Sequence, residues 1–174
     1  DVTLTPEEKA VLPDRYSGKS YPSSDGFVLS LNHLYWVGDS PLVRQGLKFA
    51  TNEANVAKNV DPDTRVPITT PGWDHWAADE FIGESWAEDN LITYEYDRER
   101  ATELFEQAGY ERIDGIWHDV EGEPIDEVIA TTESAPVAEE TIAAQWREFG
   151  LQVETLVMDE ATLQDRWEGS DDPY

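Results

Sequence analysis

Residues 125–168 switch twice between strand and helix patterning, and this alternation limits the fold more than any other feature of the chain. "IDEVIATT" is short and rich in β-branched residues, which suits a strand. "SAPVAEETIAAQWREFG" then carries Ile142, Trp146 and Phe149 at spacings of four and three, the mark of one helix face, with Gly150 as its stop. "LQVETLVM" returns to strand, and "DEATLQDRWEG" reads as a short helix capped by Asp159. Two strands joined through a helix pair in parallel. The fold class is therefore α/β.

The preceding residues fit this class. "YDRERATELFEQAGY" is a helix capped by Asp97, with Ala101, Leu104, Phe105 and Ala108 on its buried face and Gly109 after its end. "GIWHDVEGEPI" reads as a hairpin turning near Glu121 and Gly122. Residues 26–36 suit a strand. Ser40 and Pro41 then open a helix whose stripe, Val43, Leu47, Ala50, Ala54 and Ala57, predicts one continuous element to about Asn59. Residues 1–25 are punctuated by Pro6, Pro13 and Pro22. Residues 61–92 form a long loop holding Trp73, Trp76 and Trp86, and loops of that length tend to be functional.

Composition removes several functions. The net charge of -26, from 12 basic and 38 acidic residues, repels phosphate backbones and anionic lipid, so no nucleic-acid partner is expected. Such a surface suits a high-salt environment, where screening tolerates dense like charge. There are no cysteines, so disulfides and thiol chemistry are excluded. No apolar run is long enough to span a membrane. No phosphate loop, G-x-S-x-G or H-E-x-x-H is present. His33, His75 and His118 are scattered without metal-ligand spacing, and "DVEGEPIDE" lacks the spacing of a calcium loop. No catalytic residue, metal or cofactor is expected.

Three segments carry a resemblance in the right order. Leu31-Asn32 precedes a helix reading Val43-Arg44-Gln45-Gly46-Leu47 with Ala50 after it. Tyr96-Asp97, Ala101, Leu104, Ala108-Gly109-Tyr110, Gly115-Ile116-Trp117, Asp119, Gly122 and Pro124 form the second, and residues 143–172, "AAQWREFGLQVETLVMDEATLQDRWEGSDD", the third. Together they resemble the extracellular solute-binding proteins of ABC importers, in the peptide/nickel-binding family. Two departures stand out: Gly46 replaces the usual Ala, and the family's proline-rich stretch survives only as "RVPITTPGW".

The resemblance implies one lobe of a type II periplasmic-binding-protein-like fold, a mixed sheet flanked by helices. Residues 1–25 would be the tail of the preceding lobe, and residues 26–174 the ligand-binding lobe, incomplete at its C-terminus. It implies a monomer that binds a solute, an oligopeptide or another small organic molecule, by closing two lobes. The closed form would be read by ABC transporter permease subunits. The protein would be extracellular, as a lipoprotein held at the cell surface through an anchor outside this chain. The competing reading is a carbohydrate-active enzyme or carbohydrate-binding module using the Trp-rich loop.

Seven residues are candidates for ligand contact. Trp73, Trp76 and Trp86 offer aromatic faces for a sugar ring or a peptide plane. Asn32 offers an amide, and Trp36 shares its strand face because side chains alternate. The resemblance adds Arg166, for a ligand carboxylate, and Asp159, for the pocket lining. Trp117 and Trp146 are expected in the core.

Overall fold

The computed structural model describes residues 29–31, 40–60, 94–133 and 136–168. Helix α1 (Pro41–Ala50) starts where expected, with Pro41 in its first turn and the Ser40 side chain accepting from the Val43 amide. It buries Val43, Gly46, Leu47 and Ala50. The continuous helix to Asn59 is not formed. Thr51 turns extended, its hydroxyl donates to the Leu47 carbonyl at 2.7 Å, and α2 (Glu53–Val60) begins afresh. The reason lies at Asn52, whose side-chain oxygen accepts from the Asn55 amide at 3.0 Å and makes a new N-cap. That local bond outcompetes the apolar stripe: Ala54 is exposed and Ala57 only half-buried.

Helix α3 (Arg98–Gln107) is capped by Asp97, which accepts from the Arg100 amide at 2.9 Å. Gly109, at φ 90°, ends it: its amide bonds to the Glu106 carbonyl and that of Tyr110 to Phe105. Ala101, Leu104 and Phe105 are buried, with Ala108 packed at the margin.

Strands β1 (Glu111–Ile113) and β2 (Ile116–His118) form an antiparallel hairpin that the sequence reading missed. Its turn is Asp114-Gly115, both at positive φ, the conformation that favours Asp-Gly. The turn expected near Glu121 and Gly122 follows it. There Asp119 accepts from the amides of Glu121 and Glu123, both at 2.9 Å, and His118 bridges to Pro124.

Strand β3 (Asp126–Thr132) pairs in parallel with β4 (Gln152–Met158), from Asp126 opposite Gln152 to Thr132 opposite Met158. Helix α4 (Pro136–Phe149) joins them, and α5 (Glu160–Glu168) follows β4. Gly150, at φ 111°, closes α4 and passes within 2.5 Å of the Gly115 carbonyl, measured from where a Cβ would stand. Trp117 fastens the hairpin to this corner, its indole donating to the Phe149 carbonyl at 3.0 Å and its amide to Gly150 at 2.9 Å.

The core gathers around Phe105. Its ring lies 5.0 Å from Trp117, 5.1 Å from Phe149 and 5.7 Å from Tyr110, at tilted and edge-on angles that aromatic quadrupoles favour. Trp117 and Trp146 are core residues, as expected. The strand expected over residues 26–36 lies mostly outside the described residues, but Leu31 packs against this core.

Candidate functional site

In an open α/β sheet, ligands bind beyond the carboxyl ends of the strands. Here β4 ends at Met158 and Asp159 follows at once. Asp159 caps α5: Oδ1 accepts from the Thr162 amide at 3.0 Å and Oδ2 from the Thr162 hydroxyl at 2.6 Å. The hydroxyl, then the amide, holds this carboxyl below its ordinary 3.8. Its oxygens are therefore charged and already engaged.

Arg166 stands seven residues on, about 10 Å along the helix at 1.5 Å per residue. It lies on the same side of α5, two turns away. It is half-buried and has no ion pair among the described residues. Its planar fork suits a carboxylate held by two parallel bonds.

Two more polar groups belong to this end of the sheet. Thr131 is buried near the end of β3, and among the described residues its hydroxyl makes a single 3.4 Å contact, with the Thr132 carbonyl. Glu139, in the first turn of α4, has one carboxylate oxygen buried without a partner among the described residues. Sequence reading singled out neither, because what marks them is burial rather than residue type.

The other candidates, Asn32, Trp36, Trp73, Trp76 and Trp86, lie outside the described residues, as do His33 and His75. His118 is half-buried, with Nδ1 3.1 Å from the Ile116 carbonyl. Asp119, in the stretch weighed as a calcium loop, spends one oxygen on two backbone amides. No cluster of acidic or histidine side chains among the described residues could hold a metal ion. No described helix is long and apolar enough to cross a membrane.

Sequence reading also missed a groove of about 600 Å³ between α2 and α4. Asn52, Asn55 and Asn59 line one side and Thr141 and Gln145 the other. A row of Asn in a helix with no buried residue was its visible signal.

Residues 2–172 match the model of the bacterial extracellular solute-binding proteins, family 5 Middle. No curated protein matches the chain. Three solved structures are similar. One is a mannohexaose-bound periplasmic oligopeptide-binding protein of an oligopeptide ABC transporter from Thermotoga maritima, at TM-score 0.66 and 18% identity, covering 78% of this chain and 26% of that one. Another is the oligopeptide-binding protein AppA from Bacillus subtilis in complex with a nonapeptide, at 0.61 and 20%, covering 77% and 26%. The third is NikA from Brucella suis in complex with Fe(III)-EDTA, at 0.62 and 19%, covering 80% and 27%. At these identities the likeness concerns the fold, which is that of the type II periplasmic binding proteins. The chain spans about a quarter of the length of each structure.

Proposed function

The chain belongs to family 5 of the bacterial extracellular solute-binding proteins, and from that membership we propose that it forms part of a receptor delivering a small organic solute, most simply an oligopeptide, to an ABC importer. The match across residues 2–172 carries this reading. The family is one of binding proteins rather than enzymes. Capture works by hinge closure: the ligand contacts both lobes only in the closed form and so shifts the population toward it. The permease subunits read that closed form.

On this reading residues 26–174 supply one wall of the cleft and residues 1–25 the crossover from the other lobe. Arg166, a cation without an ion-pair partner among the described residues, takes a ligand carboxylate, and Asp159 lines the pocket beside it. Asn32, Trp36, Trp73, Trp76 and Trp86 supply an amide and aromatic faces. The receptor works outside the cell as a monomer held at the surface by a lipid anchor beyond this chain. Its excess of 38 acidic over 12 basic residues is suited to high salt.

The test is native mass spectrometry of the receptor purified in a salt-rich buffer, followed by calorimetry with any co-purifying solute. A bound peptide is expected, with Arg166→Gln weakening its binding and Trp73→Ala or Trp76→Ala costing affinity more than melting temperature. Glycoside cleavage by the pure protein, or variants that lose stability but keep affinity, would overturn the respective assignments.

A further inference from the structure

Helix α2 departs from two habits of helices at once. A helix resting on a neighbour normally buries an apolar stripe against it, yet α2 buries none of its residues fully, Val56, Ala57 and Val60 being only half-buried. Asn is a poor former of helix interiors, yet Asn55 and Asn59 lie within α2, three and seven residues after the cap Asn52 and along one row with it. Where local rules fail together, a functional site is the usual reason. The row lines the groove shared with Thr141 and Gln145 of α4, and Tyr96, 45% exposed as a residue, lines it as well.

The amides are held in place by one another. Gln145 accepts from the Asn52 amide at 2.6 Å and donates to the Asn55 side-chain oxygen at 3.1 Å. Asn59 donates to the Thr141 hydroxyl at 3.3 Å, and Thr141 donates to the Val137 carbonyl at 2.7 Å. Left without a partner among the described residues are the Nδ2 groups of Asn52 and Asn55, Oδ1 of Asn59 and the Tyr96 hydroxyl. That set contains donors and acceptors with no charge. Two carboxylates reach the groove, but both face basic groups: Glu140 lies 3.9 Å from Arg147 and Glu148 3.9 Å from Arg98. Among the described residues no Lys or Arg lines it, so these residues offer no cation to a carboxylate or phosphate.

We propose that the groove between α2 and α4 binds a neutral polyhydroxylated ligand, a glycosyl unit or a polyol. Its hydroxyls pair with the unspent amides of Asn52, Asn55 and Asn59, and its apolar ring face lies on Tyr96. The volume of about 600 Å³ falls in the range of small-molecule sites. This proposal does not rest on the importer reading.

The test follows the side-chain amide resonances of Asn52, Asn55 and Gln145 by NMR on the full chain. The probes are maltotriose, cellotriose, mannotriose and sorbitol, with trilysine as the cationic control. Saturable shifts with at least one polyol or sugar are expected. Asn59→Leu should weaken binding about tenfold, as loss of one well-placed hydrogen bond does. Tyr96→Phe keeps the ring and should weaken binding less, which separates lost contacts from a lost fold. Shifts that stay linear with all four probes would overturn the proposal, as would equal binding by Asn59→Leu. Saturation by trilysine alone would assign the groove to cations instead. Sugar binding that moves other resonances and leaves these three still would place that site elsewhere, and the importer reading would stand without this groove.

Discussion

A Cβ at position 46 would stand 2.7 Å from Cδ2 and 2.8 Å from Cε2 of Phe105. The ring cannot retreat, because Tyr110, Trp117 and Phe149 surround it. This explains why glycine occupies a site where the resembled family carries alanine. Gly46→Ala gains about 1 kcal/mol of helix propensity, but overpacking costs about 1–3 kcal/mol. Net destabilisation is expected by urea denaturation, with Gly46→Ala plus Phe105→Leu recovering part of it. Nothing in the sequence paired these two residues, since the contact joins helices far apart in the chain. Asp159, by contrast, was legible as a cap. Its lowered pKa adds stability that is fully present above the ordinary carboxylate value and is lost as pH falls through the folded one. Thr162→Val should raise the Asp159 pKa in a carbon-detected NMR titration and move the acid loss of α5 to higher pH. An unmoved pKa would remove the hydroxyl as its main cause.

At the scale of elements, the break between α1 and α2 is held from outside. Trp146 donates its indole to the Thr51 hydroxyl at 2.9 Å, and Gln145 accepts from the Asn52 amide. Gln145→Leu leaves that half-buried amide without its acceptor, a loss of about 1–3 kcal/mol. Chemical denaturation checks the loss, and faster hydrogen exchange at Asn52 locates it; unchanged exchange there would mean that water replaces the amide. Among the elements that sequence reading recovered, α3 has period, cap and stop all agreeing, and α4 with the β3–β4 pair has period and the Gly150 stop in agreement. The two it misjudged carry conflicting local signals. Asn52 followed by Glu53 is a helix start inside an apolar stripe. Asp114-Gly115 is a strong hairpin signal flanked by strands of only three residues, too short to show a period. For the candidate site, Arg166 and Asp159 were nominated through resemblance, whereas Thr131 and Glu139 became visible as candidates only with burial.

Across the whole molecule, charge opposes compactness. The described ion pairs are exposed or half-buried and contribute little each, so they do not offset a net -26. Raising KCl from low concentration to 1 M shortens the screening length from about 10 Å at 0.1 M to about 3 Å. The melting temperature should climb by several degrees over that range, and a flat profile would show that self-repulsion is not what limits stability. One early detail bears on how such a molecule diversifies. The amide of Asp97 donates to the Phe49 carbonyl at 2.9 Å, and α1 packs directly on α3. Phe49 and Asp97 are therefore held side by side although they lie far apart in the sequence. Doubling the length of a flexible connection between two fixed points costs only about 0.6 kcal/mol in closure entropy. A body pinned at two such points can thus accept a longer or shorter connection while its core is kept, so the length of the chain and the architecture of its core are free to change separately.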